Sequence, residues 1–149
     1  MEWMLMPLRR YAEFSGRSRR KEYWMFALLI AIVYAVCGAL TLSAIWSAVV
    51  AGATVPWGDL NAFGWMGLTV VVVFTLAIFI PGIAVTVRRF HDRDMSGWWY
   101  LGFVIAGQVP KIGGLFSLGM LVLMALPGTP GPNRFGNDPK DPLDTEAFA

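Results

Sequence analysis

Two long stretches of the chain contain no Asp, Glu, Lys, Arg or His. One runs from Tyr23 to Gly58 and the other from Leu60 to Val87, with Asp59 as the only charge between them. A helix needs about 20 mostly apolar residues to cross about 30 Å of hydrocarbon. Each stretch exceeds that length, and neither offers the charged face that a water-exposed helix of this size would need. The pattern predicts one span over about Trp24–Ala51 and a second over about Leu60–Val87. Gly52 to Asn61 forms a short loop between them. Pro81-Gly82, near the end of the second span, predicts a kink, because proline removes a backbone bond and clashes one turn back.

A third apolar stretch, Trp98 to Leu126, is interrupted by Pro110-Lys111-Ile112-Gly113-Gly114. Its two arms of about 12–15 residues are each short for a crossing, and one unbroken helix of about 44 Å would be too long without tilt. A helical hairpin turning at Pro110–Gly114 is favoured over a single tilted, kinked span. The fold class is therefore all-α: a multi-pass transmembrane helical bundle with two long spans and a broken third apolar stretch. Residues 1–22 form a basic interfacial segment, 23–126 the transmembrane domain, and 127–149 a Pro/Gly-rich polar tail with a mobile acidic end.

Within residues 2–14, Trp3, Met4, Pro7, Leu8, Tyr11 and Phe14 share one helical face, and Glu2, Arg9, Arg10 and Glu13 the other. This pattern suits a short interfacial helix weakened by Pro7. Ser15 or Ser18 could cap the first span, and Tyr23-Trp24 would anchor it at the headgroups. Inside that span Ala27, Ala31, Ala35, Ala39, Ser43, Ser47 and Ala51 recur at every fourth position. Such small-residue ridges let helices approach closely in lipid, so a helix-packing role is expected.

Composition agrees with this pattern. The chain is 56% hydrophobic and 15% charged, against roughly 45–50% and 25% in soluble domains. The net charge of +2 carries little information, but its distribution does. Six Lys and Arg precede the first span, none falls in the first loop, and three (Arg88, Arg89 and Arg93) follow the second span. Basic residues stay on the cytoplasmic side, which puts the N-terminus and second loop inside the cell. Charges persist to Glu22 and the apolar run is too long for a secretory signal, so the first span is expected to be retained. The single cysteine, Cys37, excludes an intrachain disulfide and reads as a small apolar residue.

Four motifs follow one another along the chain: Gly16-Arg17-Ser18-Arg19-Arg20-Lys21-Glu22-Tyr23-Trp24, Arg88-Arg89-Phe90-His91-Asp92, Ser96-Gly97-Trp98-Trp99, and Gly128-Thr129-Pro130-Gly131-Pro132-Asn133-Arg134-Phe135-Gly136. In this order they resemble the bacterial inner-membrane family called domain of unknown function 805, across nearly the whole chain. Phe90 stands where that family more often has leucine, and Lys111 lies in a stretch that is usually apolar there. The resemblance implies a helical protein of the bacterial cytoplasmic membrane, and implies no substrate, cofactor or catalytic residue.

Chemistry-bearing residues concentrate at the cytoplasmic ends. Arg17, Arg19, Arg20, Glu22, Arg88, Arg89, His91, Asp92, Asn133 and Arg134 form a candidate polar or anion-binding site. Asp92 is expected to pair with an arginine outside its own loop, such as Arg17 or Arg134. A histidine beside a carboxylate can serve as acid or base, yet no nucleophile is recognisable, and one histidine makes no His-rich metal site. No catalytic residue, metal or cofactor is assigned. Anionic lipid headgroups are the expected partners, with another membrane protein or a second copy possible and nucleic acid excluded. The favoured function is a non-catalytic membrane component that binds lipid or protein. The alternative is a membrane enzyme or anionic-ligand receptor using the Arg/His/Asp site.

Overall fold

The computed structural model describes residues 2–50, 52, 54 and 62–140, with side chains described for all of these except 44 and 47–49. Most of the first loop, Ala51 and the Ser47 side chain of the small-residue ridge, and the end of the acidic tail lie outside the described residues. Among these residues five α-helices follow in order: α1 Glu2–Arg9, α2 Arg20–Val50, α3 Ala62–His91, α4 Trp98–Gly107 and α5 Gly113–Ala125. The described residues contain no β-strand, only an isolated bridge between Asn133 and Gly136.

At 1.5 Å per residue, α2 and α3 are each about 45 Å long, enough to span the hydrocarbon with turns to spare at both ends. Among the described residues they are the two helices long and apolar enough to cross a membrane. Apolar side chains on both remain exposed, among them Leu28, Ile32, Val36, Val73, Leu76 and Phe79. In water this would be costly; against lipid it is the ground state. The second span passes through Pro81 and continues to His91, one turn beyond the expected end. Its extra turn carries Arg88, Arg89 and His91, and the two guanidinium charges oppose the negative end of the helix dipole.

The third stretch is a helical hairpin, as its interrupted pattern predicts. Helices α4 and α5 pack on each other, and the turn occupies 108–112. Gly113 sits so close to the Gly107 carbonyl that a Cβ would overlap it. Lys111 lies exposed in the turn in a left-handed conformation, φ 70°.

The chain forms two compact units, residues 27–79 and the remainder. In the 27–79 unit, α2 meets α3 through Tyr34, Cys37, Leu40 and Thr41. The Tyr34 hydroxyl lies 2.8 Å from Thr75 Oγ1, and its ring meets Phe74 edge-on. A Cβ on Gly67 would fall 2.7 Å from Thr41 Oγ1 and 3.0 Å from the Cys37 carbonyl. The intrachain seam is therefore not the predicted small-residue ridge. Ala31, Ala35, Ala39 and Ser43 are exposed in the single chain, and Ala27 is half-buried. Cys37 lies two residues from both Ala35 and Ala39, about 200° around the helix, so the seam and the ridge occupy opposite faces. Close approach comes instead from one glycine, Gly67, on the partner helix.

Candidate functional site

The other unit, residues 1–26 with 80–149, assembles the polar motifs. Its centre is the last turn of α3. Arg88 and Arg89 are consecutive, hence about 100° apart around the helix, and reach in different directions. Both are fully buried.

Arg88 turns to the N-terminal segment. Its Nη2 donates to Glu22 Oε1 at 2.9 Å, and its Nη1 donates to the carbonyls of Arg10 and Glu13. This explains why α1 stops at Arg9 and does not reach Phe14: the carbonyls a longer helix would use face a guanidinium. Ser18 completes the arrangement. Its hydroxyl donates to Glu22 Oε2 at 2.8 Å, and its backbone N–H donates to the Arg88 carbonyl at 3.2 Å. The expected Ser18 helix cap is thus replaced by a bond to the carboxylate.

Arg89 turns to the hairpin. Its Nε donates to the Met124 carbonyl at 3.1 Å, and Nη2 to that of Leu126. These carbonyls belong to the end of α5, where backbone acceptors lack helical partners. The third donor, Nη1, binds Asp92 Oδ2. The other carboxylate oxygen of Asp92, Oδ1, accepts from Arg17 Nε at 3.0 Å. Arg17 also donates to the carbonyls of Thr129 and Gly131, both at 2.6 Å. The Thr129 N–H returns to the Asp92 carbonyl at 2.8 Å. Gly128 lies against the same carboxylate, so closely that a Cβ there would overlap it.

The tail motif docks on the end of α3. Asn133 Nδ2 donates to the His91 carbonyl at 2.9 Å. Its Oδ1 accepts the Phe135 N–H, which closes a tight turn with Gly136 at φ 132°. That turn lays Phe135 flat on the His91 ring, centroids 3.9 Å apart. His91 Nδ1 lies 3.1 Å from the Gly16 carbonyl.

The expected meeting of motifs is therefore present: Arg17, Glu22, Arg88, Arg89, His91, Asp92 and Asn133 share one cluster. Arg134 sits at its exposed margin, paired with Asp94 at 3.1 Å. Arg19 donates to the Pro139 carbonyl and lies over the Trp3 ring. Arg20 is exposed, with one long contact to the Ala125 carbonyl at 3.4 Å. Three buried arginines face two buried carboxylates, Glu22 and Asp92, and the excess positive charge is met by backbone carbonyls. Among the described residues, Nε of Arg88 and of Arg93 are the buried side-chain polar atoms with no hydrogen-bond partner. No group of three or more His, Cys, Asp or Glu among the described residues could hold a metal.

Toward the rim, ionisable groups shift as their partners dictate. The Arg10 side chain binds the Glu13 carboxylate, holding the Glu13 carboxyl below the usual range against the opposing effect of partial burial. Burial alone would raise the Asp138 carboxyl, but the Lys140 and Gly131 N–H groups and the Arg17 charge carry it down.

Sequence reading did not assign roles to Gly128, Thr129 or Phe135. The signal was present only in that the tail motif holds them at fixed spacing. What they touch depends on the hairpin returning the tail to α3.

A family model described as a protein of unknown function, DUF805, matches residues 11–137. That interval contains every member of the buried cluster. Inner membrane protein YhaI of Escherichia coli strain K12 is 41% identical over 140 residues, covering 94% of this chain and 97% of the relative. Inner membrane protein YhaH of the same strain is also 41% identical over 140 residues, covering 94% and 98%. No solved structure matches.

Proposed function

The chain belongs to the DUF805 family of inner-membrane proteins, and from that premise we propose that it is a non-catalytic membrane component whose cytoplasmic rim binds anionic phospholipid. The observation that carries this reading is the division of its cations. The buried guanidiniums of Arg17, Arg88 and Arg89 are engaged with the chain's own carboxylates and carbonyls. They hold the N-terminal segment, α3, the hairpin and the tail together as a latch. Arg9, Arg20 and Lys21 are exposed, and the Lys21 ammonium lies 5.4 Å from the centroid of the Trp3 ring. Cations beside an indole at the mouth of a span suit phosphate headgroups, each basic residue contributing about 1 kcal/mol near an anionic surface.

The same reading puts the N-terminus and tail in the cytoplasm. Arg17 holds Thr129 and Gly131, so the two segments share a side of the membrane, and the basic-residue distribution assigns that side to the cell interior. Two measurements test the proposal. Lipid co-purified with the wild-type chain should be enriched in phosphatidylglycerol and cardiolipin over phosphatidylethanolamine by mass spectrometry. An Arg9→Ala, Arg20→Ala, Lys21→Ala triple variant should lose that enrichment. Equal lipid profiles for the two proteins reject the headgroup role. Reporters at either terminus should be active only in the cytoplasm, and activity of the C-terminal one outside rejects the orientation.

A further inference from the structure

A cavity of about 480 Å³ opens beside the latch, between the end of α3, the start of α4 and the N-terminal segment. This is within the range of small-molecule sites. Its walls are mainly apolar and aromatic, with Phe14, Trp98, Tyr100 and Leu101 prominent. The latch does not use it. One latch residue does face it: His91.

The chemistry of that imidazole is fixed on three sides. Nδ1 meets the Gly16 carbonyl at 3.1 Å. A carbonyl only accepts, so Nδ1 carries the hydrogen, and in the neutral ring Nε2 bears a lone pair. The ring plane is held by the parallel Phe135 at 3.9 Å, and the main chain by Asn133. Gly97 also lines the cavity, and a Cβ on it would stand 3.4 Å from Nε2 and 2.6 Å from Val87 Cγ1. The missing side chain keeps the space in front of Nε2 clear. No protein donor takes that lone pair among the described residues.

We propose that this cavity binds the hydroxylated ring of a lipid-phase hydroquinone, its O–H donating to His91 Nε2. A preorganised acceptor beside apolar walls suits a ligand that carries a neutral O–H donor on an apolar body. The aromatic walls favour a planar ring by stacked and edge-on contacts. The cavity lies beside the interfacial tryptophans at the start of α4, where an amphiphile dissolved in the bilayer presents its polar head. The oxidised quinone has no O–H and cannot make the bond, so the site distinguishes the two forms of one carrier. This inference concerns binding and does not depend on the anionic-lipid reading.

The test is calorimetric titration of the full chain in lipid nanodiscs, kept anaerobic, with empty nanodiscs subtracted. Decylubiquinol should bind saturably, and decylubiquinone about tenfold or more weaker, the order expected for one lost hydrogen bond. His91→Phe keeps an aromatic ring against Phe135 and should erase the difference between the two forms. Leu101→Trp, on the cavity wall away from the latch, should weaken both ligands while the protein still folds. Equal affinity of the wild type for quinol and quinone would overturn the proposal, as would binding unchanged by Leu101→Trp. Decanol binding as tightly as decylubiquinol would overturn the assignment of a ring.

Discussion

Arg17 Nε and Asp92 Oδ1 lie 3.0 Å apart although 75 positions separate them in the chain. Both side chains are almost wholly buried, and Arg89 occupies the second carboxylate oxygen. Removing the carboxylate strands two guanidiniums in a dry environment. Breaking a buried ion pair by deleting one partner costs about 3–5 kcal/mol. Asp92→Ala should therefore lower the melting temperature in detergent sharply, and more than Asp94→Ala, whose partner Arg134 is exposed. Arg17→Lys should fall between them, since a point charge cannot reproduce bonds to Asp92, Thr129 and Gly131 together. Equal melting temperatures for Asp92→Ala and Asp94→Ala would show that the latch does not hold the fold.

Gly128 is an independent probe of the same contact. Its backbone conformation does not demand glycine; the space does. Because a Cβ there would overlap the Asp92 carboxylate, Gly128→Ala should push the tail from α3 without altering any charge. Protease cleavage after Arg134 should accelerate in this variant. Pro132→Ala, at an exposed position of the same tail, should leave the rate near wild type. Resistance of Gly128→Ala equal to wild type would contradict the contact.

At the α2–α3 seam, Gly67 is predicted to matter more than any alanine of the small-residue ridge. Gly67→Val puts two methyl groups where even a Cβ meets the Cys37 carbonyl at 3.0 Å, and overpacking of this kind costs about 1–3 kcal/mol. Ala35→Leu, on the exposed face, should change intrachain stability little. Thermal denaturation of both in detergent checks the order, and a larger loss for Ala35→Leu would reverse the assignment of the two faces.

Lys111 combines two costs. Its φ of 70° disfavours a side chain by about 1–2 kcal/mol. It sits at the tip of arms about 15 and 20 Å long, each shorter than the roughly 30 Å hydrocarbon core. Lys111→Gly relieves both and should raise the melting temperature, whereas Lys111→Ala relieves only the charge and should raise it less. A fall on Lys111→Gly would mean that the ammonium has a stabilising contact in the membrane.

The sequence by itself determined the spans, because lipid exposure leaves an unmistakable signature: about 30 uninterrupted apolar residues have no stable place in water. It favoured a hairpin over a single kinked span, since Pro110 and Gly113-Gly114 interrupt a stretch whose halves are too short to cross, and the packing of α4 on α5 decided between them. The Arg17–Asp92 pair was foreseeable on charge grounds, three basic clusters around two acids requiring that some pair. Only the tertiary structure decided the rest. Whether an alanine ridge or a lone glycine forms the α2–α3 seam depends on helix rotation, to which four-residue spacing is blind when small residues occur on both faces. Whether arginines bind ligand or carbonyl depends on where helices end, because a helix terminus exposes acceptors that sequence does not mark. The convergence of Gly128, Thr129 and Phe135 on Asp92 and His91 required the chain to fold back, which brings residues about 40 positions apart within hydrogen-bond reach.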